Sequence, residues 1–181
     1  EVFALFASTY SRKHKLAGAR DRAFLGLCWG MGLRVTEAIG IQVEDAEGQT
    51  LRVTGKGNKE REVPFPPNVV AHLRSWIDSA GLKSGPVLRA VNRGGKVSGN
   101  RINAVSLRRI CDRMSHTAGI SRFTPHDLRA TYATMLLENG VDTLIVKNLL
   151  GHARVDTVQH YDRRPATAAL AAVNFLLVPG A

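Results

Sequence analysis

A turn over residues 55–59, which contains two glycines, separates two segments of alternating hydrophobicity. Hydrophobic residues such as Leu51 and Val53 alternate there with polar ones, and a period of two residues is typical of a half-buried β-strand. We therefore expect strands over 50–54 and 60–65 that pair as a hairpin across the turn. Because this hairpin lies between long stretches of helical periodicity, the chain is predicted to be mainly α with a small antiparallel β-sheet, an α+β fold.

Apolar residues recur with helical spacing over most of the remaining chain, and glycine, proline and capping residues mark the helix ends. A basic segment over 13–22 and a glycine-rich segment over 81–100 are predicted to be loops, and a third short strand is predicted over 41–43. The predicted helices cover residues 1–9, 23–31, 35–40, 67–79, 102–118, 125–140, 142–150, a short segment from Asp156 that contains Tyr161, and 167–177.

The chain has 181 residues, which is enough for one domain with a hydrophobic core. We predict a single domain over residues 1–181, with 167–177 as a C-terminal tail helix. The first residue is Glu1 rather than methionine and lies in an apolar helical pattern, so we expect a fragment of a longer protein. Its apolar runs are shorter than the roughly 20 residues of a membrane-spanning helix, so no membrane association is predicted.

The chain carries 25 lysine and arginine residues against 15 aspartate and glutamate residues, a formal net charge of +10. Such an excess favours a polyanionic partner, most often a nucleic acid, although a basic protein without such a partner is an alternative. Cys28 and Cys111 both lie in apolar helical patterns. This predicts buried thiols in a reducing cytoplasm rather than a disulfide.

The segment from Thr124 to Arg129 has the signature of a helix start, with Thr124 as N-cap, Pro125 as first helical residue and Asp127 as capping-box acid. His126 and Arg129 are three residues apart and are expected to share one helix face. Free backbone N–H groups and the helix dipole favour an anion there, so a bound phosphate would meet an imidazole and a guanidinium. The structural alternative is a polar capping residue beside a surface ion pair.

Arg34 and Glu37 repeat the same spacing after a glycine-containing turn. Arg34 could offer a second guanidinium to the same phosphate, since the planar fork of arginine matches phosphate oxygens in pairs. Glu37 could orient that guanidinium. The alternative is a local Arg–Glu pair at the start of a helix.

Lys56 stands at the tip of the predicted hairpin, between two glycines. A lysine in such a place can reach into a DNA groove, and beside a scissile phosphate it could protonate a departing 5′-hydroxyl. The alternative is a hairpin tip that is charged for solubility. Other basic residues in or beside the two glycine-rich segments are candidate DNA contacts: Lys59, Arg61, Arg93 and Lys96.

Tyr161 follows His152 by nine residues, and His152 directly follows the helix-closing Gly151. A tyrosine has a pKa of about 10 and is a poor nucleophile at neutral pH. Surrounding it with cations and imidazoles would let it attack a phosphate. Tyr132 lies in an apolar helix and is expected to be part of the core. The histidines and cysteines do not have the spacing of a metal site, so no metal is predicted.

Four sequence blocks together resemble the catalytic domain of the tyrosine recombinases, the family of phage-type integrases and Xer-like resolvases. The blocks occur in the family's order over nearly the whole chain, and the tyrosine lies at the expected distance from the last one. They are Gly32-Leu33-Arg34-Val35-Thr36-Glu37, the segment from Gly55-Lys56-Gly57 to Val63-Pro64, His126-Asp127-Leu128-Arg129, and Leu150-Gly151-His152 followed by Tyr161.

The resemblance implies a transesterification on double-stranded DNA that needs no metal, cofactor or ATP. It implies that Tyr161 attacks the scissile phosphate and that Lys56 is the general acid, with His126 assisting proton transfer. By the same resemblance, Arg34, Arg129 and His152 would hold the phosphate. It further implies a homotetramer on DNA that exchanges C-terminal helices, and an N-terminal DNA-clamping domain that is absent from this chain. The alternative for the tail helix is that it packs on its own domain.

Two other functions stay open at this point. A type IB topoisomerase-like enzyme would share the chemistry but relax DNA instead of exchanging strands. A non-catalytic DNA-binding module could keep the fold alone, although the complete set of site residues argues against it.

Overall fold

The computed structural model describes residues 1–10, 15–54 and 60–151. Within them the chain is mainly helical, with two small antiparallel hairpins. The helices are α1 (Val2–Tyr10), α2 (Lys15–Leu25), α3 (Val35–Gly40), α4 (Pro67–Ser79), α5 (Ala104–Ala118), α6 (Pro125–Glu138) and α7 (Thr143–Leu150). The strands are β1 (Thr50–Thr54), β2 (Glu60–Pro64), β3 (Arg89–Val91) and β4 (Val97–Arg101).

The predicted hairpin of β1 and β2 is confirmed. The two strands pair in antiparallel register, with Leu51 opposite Val63 and Val53 opposite Arg61. Leu51, Val53 and Val63 are buried while their strand neighbours are exposed, as the alternation predicts. The predicted end at residue 65 is one residue too long, since β2 ends at Pro64.

The prediction of a continuous loop over 81–100 is wrong, because this segment forms most of a second hairpin. Strands β3 and β4 pair with Arg89 opposite Arg101 and Val91 opposite Val97. The side chain of Asn92 accepts hydrogen bonds from the backbone N–H groups of Gly94 and Lys96, which closes the turn between the strands. Because β3 has only three residues, it shows no alternation that the sequence could reveal.

The predicted strand over 41–43 is reduced to one bridge between Gln42 and Pro86. The chain turns directly afterwards into a short 3₁₀ helix, Glu44–Glu47, which prevents further pairing.

The predicted loop over 13–22 is also wrong for its described part, since α2 begins at Lys15. Polar residues that indicated solvent exposure are in fact buried. Arg20 and Asp21 pair with each other at 2.7 Å, and Arg113 of α5 approaches the same carboxylate at 3.3 Å. A short π-helical turn, Gly26–Gly30, continues α2 toward the site described below.

The core of the described part of the chain consists of two hydrophobic clusters. The larger one joins α1, α2, α4 and α5 to the β1–β2 hairpin and includes the fully buried Trp76, whose indole N–H donates to the carbonyl of Val87. The smaller one lies between α6 and α7 and contains Ala133, Leu137, Val146 and Leu150. In the described part of the chain, no helix has the length and apolarity to cross a membrane.

Both predicted caps near this smaller cluster are confirmed. The hydroxyl of Thr124 and the carboxylate of Asp127 form the capping box at the start of α6. Asp142 caps α7, and Gly151 closes it with a φ of 63°. The start of α6 and the two ends of α7 are therefore fixed by local hydrogen bonds.

Candidate active site

Glu37, on α3, lies at the centre of a cluster of arginines. Its side chain is only 5% exposed. Oxygen Oε2 accepts a hydrogen bond of 2.8 Å from the backbone N–H of Arg34, and Oε1 accepts one of 2.9 Å from Nη1 of the same residue. The prediction that Glu37 orients Arg34 is consistent with this geometry. Arg34 is the most open arginine of the cluster, with 37% of its side chain exposed.

Arg129, on α6, points its guanidinium into the protein. Nη1 donates to the carbonyl of Gly32 and Nη2 donates to the carbonyl of Leu150, both at 2.5 Å. Nη1 also lies 3.8 Å from Oε2 of Glu37. The side chain is 4% exposed, so Arg129 is a buried link and not the surface ion pair of the structural alternative.

Arg61, on β2, completes the cluster. Its Nη1 and Nη2 donate to the two carboxylate oxygens of Glu37 at 3.0 and 2.9 Å, and its Nε donates to the carbonyl of Leu149 at 2.8 Å. The sequence predicts a DNA contact at Arg61, and the link of Arg61 to Glu37 was not predicted. The signal was present, because Arg61 has the same strand parity as the buried Val63 and Phe65.

The three arginines converge on the C-terminal end of α7. The carbonyl of Leu149 accepts a hydrogen bond from Arg61. The carbonyl of Leu150 accepts from both Arg129 and Arg34, and the carbonyl of Gly151 accepts from Arg34. These are carbonyls that a helix leaves without an internal partner, at the negative end of its dipole. Among the residues that the structure describes, one carboxylate faces three guanidinium groups here, an excess of two positive charges. An anion such as phosphate would balance that excess.

The surroundings shift the pKa of three groups at this site. Burial alone would raise the pKa of Glu37, but hydrogen bonds from Arg61 and from the backbone of Arg34 lower it below its ordinary value. Burial raises the pKa of Tyr132, which packs against Gly32, and Arg129 and Arg61 oppose that shift. Burial also raises the pKa of Cys28, so its thiol stays protonated.

The sequence profile of the phage integrase family matches residues 4–167. The chain belongs to the phage integrase family. It is 40% identical over 158 residues to a tyrosine recombinase XerC of Corynebacterium glutamicum, a match that covers 86% of this chain and 50% of that relative. It is also 40% identical over 149 residues to the tyrosine recombinase XerD of the same organism, covering 78% and 47%. The chain thus spans about half the length of these relatives.

A solved structure supports the same fold. The pre-cleavage complex of the XerH site-specific recombinase bound to difH substrate superposes with a TM-score of 0.76, at 24% identity, over 97% of this chain and 52% of that one. The predicted α+β catalytic-domain fold and the resemblance to tyrosine recombinases are confirmed.

Within this integrase fold, the structure brings together Arg34, Glu37 and Arg129 of the predicted site. His126 lies one turn before Arg129 and its side chain is exposed, whereas Arg129 is buried. Arg93 and Lys96 are exposed in the turn of the β3–β4 hairpin. Lys56, Lys59, His152, Tyr161 and the tail helix lie outside the described residues. Among the residues that are described, His, Cys, Asp and Glu side chains form no group of three or more that could hold a metal ion.

Proposed function

We propose that the chain is the catalytic domain of a site-specific DNA recombinase that cleaves and rejoins DNA strands through a 3′-phosphotyrosyl intermediate. The observation that carries the proposal is the convergence of Arg34, Glu37 and Arg129 at the end of α7, next to the position of His152 in the sequence. Membership of the phage integrase family supports it. The arginine cluster around Glu37 is positively charged, as a site that holds a phosphate requires.

In the proposed reaction, the phenol oxygen of Tyr161 forms a bond to the scissile phosphorus, and the bond from phosphorus to the 5′-oxygen breaks. The phenol loses its proton with the help of His126, and Lys56 protonates the departing 5′-oxygen. A 5′-hydroxyl of a second strand then attacks the phosphotyrosyl bond and releases Tyr161. Each step exchanges one phosphodiester for another, so no ATP or metal is required.

The arginines act on the charge of the transition state. The phosphorus centre gains negative charge on its non-bridging oxygens as the tyrosine attacks, and donors that are already in place lower the barrier most. Arg34 offers the most open donors of the described cluster, and Glu37 holds them in place from behind. Arg129 fixes the end of α7, from which the chain continues to His152.

The test uses the full-length protein and duplex DNA that it selects by binding from a random-sequence pool. The duplex is nicked near its centre so that the cleaved end is lost and the intermediate accumulates. We expect an SDS-resistant adduct with the wild type, a free 5′-hydroxyl on the released end, and no adduct with Tyr161→Phe. An adduct that survives this substitution would place the nucleophile elsewhere.

The same assay separates the alternatives. DNA binding by the wild type without any adduct would overturn the catalytic proposal and favour a DNA-binding module. Adduct formation with relaxation of supercoiled DNA, but without exchange between two sites, would favour a type IB topoisomerase-like enzyme.

We also propose that the protein works as a homotetramer on double-stranded DNA and exchanges C-terminal helices, with residues 167–177 docking on a neighbouring protomer. The support is the family resemblance. Deletion of residues 167–181 should abolish tetramers on DNA in a gel-shift assay while leaving monomer binding. Unchanged assembly would contradict the proposed exchange of C-terminal helices.

A cytoplasmic location of the protein stays a prediction.

A further inference from the structure

Arg61 joins three separate segments of the chain through one side chain. It starts on β2, binds the carboxylate of Glu37 on α3 with both terminal nitrogens, and donates from Nε to the carbonyl of Leu149 in the last turn of α7. Each segment borders a residue of the proposed site in the sequence: the turn that contains Lys56 precedes β2, Arg34 directly precedes α3, and His152 follows the end of α7.

The accessibility of Arg61 differs from that of its neighbour Arg52 on the same hairpin. Arg61 has 11% of its side chain exposed, whereas Arg52 has 69%. The ion pairs of Arg52 with Glu60 and Glu62 are long, at 4.0 and 3.9 Å. For Arg61 to bind a DNA phosphate, it would have to release a buried carboxylate, which is strongly unfavourable.

We propose that Arg61 is a positioning residue of the active site, which holds Glu37 and the end of α7 in place, and that it is not a DNA contact. This inference rests on the proposed recombinase function. The sequence predicts that Arg61 binds DNA, whereas the proposed role is to position Glu37 and the end of α7.

The fork of Arg61 fixes the carboxylate that orients Arg34. Oε1 of Glu37 accepts from both Arg61 and Arg34, and Oε2 accepts from Arg61 and the backbone of Arg34. A carboxylate held at both oxygens has one orientation, so Arg34 can meet the phosphate without rearranging. A lysine has a single point of charge and cannot hold two oxygens in this way.

The end of α7 is built closely around the same guanidinium. A Cβ atom at Gly151 would come within 2.9 Å of Nη1 and 3.1 Å of Cζ of Arg61, so a larger residue there would displace the guanidinium. Together with the bond to Leu149, this contact holds the end of α7 against the guanidinium of Arg61. The chain continues from there to His152.

Three variants of the full-length protein test the proposal: Arg61→Gln, Arg61→Lys and the matched control Arg52→Gln. The measurements are the single-turnover rate of adduct formation at saturating DNA and the slope of log Kd against log salt concentration. We expect Arg61→Gln to lower the rate by about 100-fold, since small misplacements in an active site have effects of that size. We expect its Kd and salt slope to match the wild type, and Arg52→Gln to keep the wild-type rate.

A DNA contact at Arg61 gives the opposite pattern. Loss of a phosphate contact weakens binding and lowers the salt slope by about 1, while the rate at saturating DNA is unchanged. That result in Arg61→Gln would overturn the proposal. Arg61→Lys keeps the charge but not the fork, so it should keep DNA binding and stay as slow as Arg61→Gln. A wild-type rate in Arg61→Lys would also overturn it.

The two proposals fail in different ways. If the wild type binds DNA but forms no adduct, the recombinase function fails, and the salt slope alone still decides whether Arg61 contacts DNA. If the wild type forms the adduct, the rate decides whether Arg61 positions the site. A melting curve by circular dichroism shows whether each variant is folded. If Arg61→Gln does not fold, the rate and salt slope of Arg61→Lys decide whether Arg61 positions the site or contacts DNA.

Discussion

Gly32 and Arg129 lie 97 positions apart in the sequence, yet Nη1 of Arg129 donates a hydrogen bond of 2.5 Å to the carbonyl of Gly32. The other terminal nitrogen of Arg129 reaches Leu150 at the end of α7. One guanidinium therefore ties the start of the Arg34 segment to the segment that leads to His152. The residue to which the family resemblance assigns a phosphate contact also links these two segments of the site.

We predict that Arg129→Gln destabilises the protein as well as inactivating it. The glutamine removes the donor that Arg129 gives to the buried carbonyl of Gly32 and leaves the carbonyl of Leu150 only the long bond from Arg34, and the expected loss is roughly 2 to 4 kcal/mol of unfolding free energy. Urea unfolding measures it. Arg34→Gln is the matched control, because Arg34 is more exposed and its bonds to Leu150 and Gly151 are long, at 3.4 Å. Equal losses in the two variants would contradict the structural role of Arg129.

The backbone at Gly32 leads to a second prediction. Gly32 has a φ of 63°, and a Cβ atom there would fall 2.4 Å from Cδ1 of Tyr132. Gly32→Ala should therefore introduce both backbone strain and a steric clash. Gly119→Ala is the control, since Gly119 has a φ of 67° but an added Cβ meets nothing within 4 Å. We expect Gly32→Ala to be less stable than Gly119→Ala by about 1 to 3 kcal/mol in urea unfolding. Equal stability would show that the Tyr132 ring yields easily.

Local signals predicted those parts of the site that depend on a few neighbouring residues. The capping box at Thr124, the helix after Arg34 and the end of α7 at Gly151 each depend on residues within one turn. The β1–β2 hairpin was equally predictable, because its turn and its alternation lie close together in the sequence. The helix starts thereby determine where Glu37 and Arg129 lie along α3 and α6.

The contacts between segments could not be predicted in the same way. The direction in which Arg129 points depends on carbonyls of Gly32 and Leu150, which only the fold brings near. Basic character indicated solvent or DNA for Arg20 and Arg61, but Arg20 is buried and Arg61 is mostly buried, each beside a carboxylate. The sequence shows which residues are charged, but whether a charged side chain is buried depends on the partner that the fold places beside it.

The buried ion pair on α2 gives a third prediction. Asp21 is fully buried and contacts Arg20 and Arg113. Asp21→Asn removes the charge that both arginines face, so we expect a loss of about 3 kcal/mol of unfolding free energy. Asp112→Asn is the control, because its pair with Arg122 is exposed, and a surface pair contributes about 0.5 kcal/mol or less. Similar losses in the two variants would contradict the buried role of Asp21.

The turn of the β3–β4 hairpin gives a fourth prediction, on DNA binding. Arg93 and Lys96 are both exposed there, and we expect each to neutralise one phosphate. The double variant Arg93→Gln with Lys96→Gln should weaken DNA binding and lower the salt slope by about 2, with no change in the rate of adduct formation at saturating DNA. Fluorescence anisotropy at several salt concentrations measures the slope. An unchanged slope would place the DNA on another face.

The fifth prediction concerns how the unfolding free energy depends on pH through the pKa of Glu37. Burial raises its pKa, but the bonds from Arg61 and Arg34 outweigh burial and hold that pKa below the ordinary value of 4.5. A carboxylate with a lowered pKa stabilises the fold fully above about pH 4.5, and the contribution is lost as the pH falls through the folded-state pKa. The difference in unfolding free energy between wild type and Glu37→Gln should be about 3 kcal/mol and constant at neutral pH, and should shrink below pH 4.5. Glu44→Gln, at an exposed position, should show no such trend. A difference for Glu37→Gln that grows as the pH falls would mean that burial, and not the arginines, controls this carboxylate.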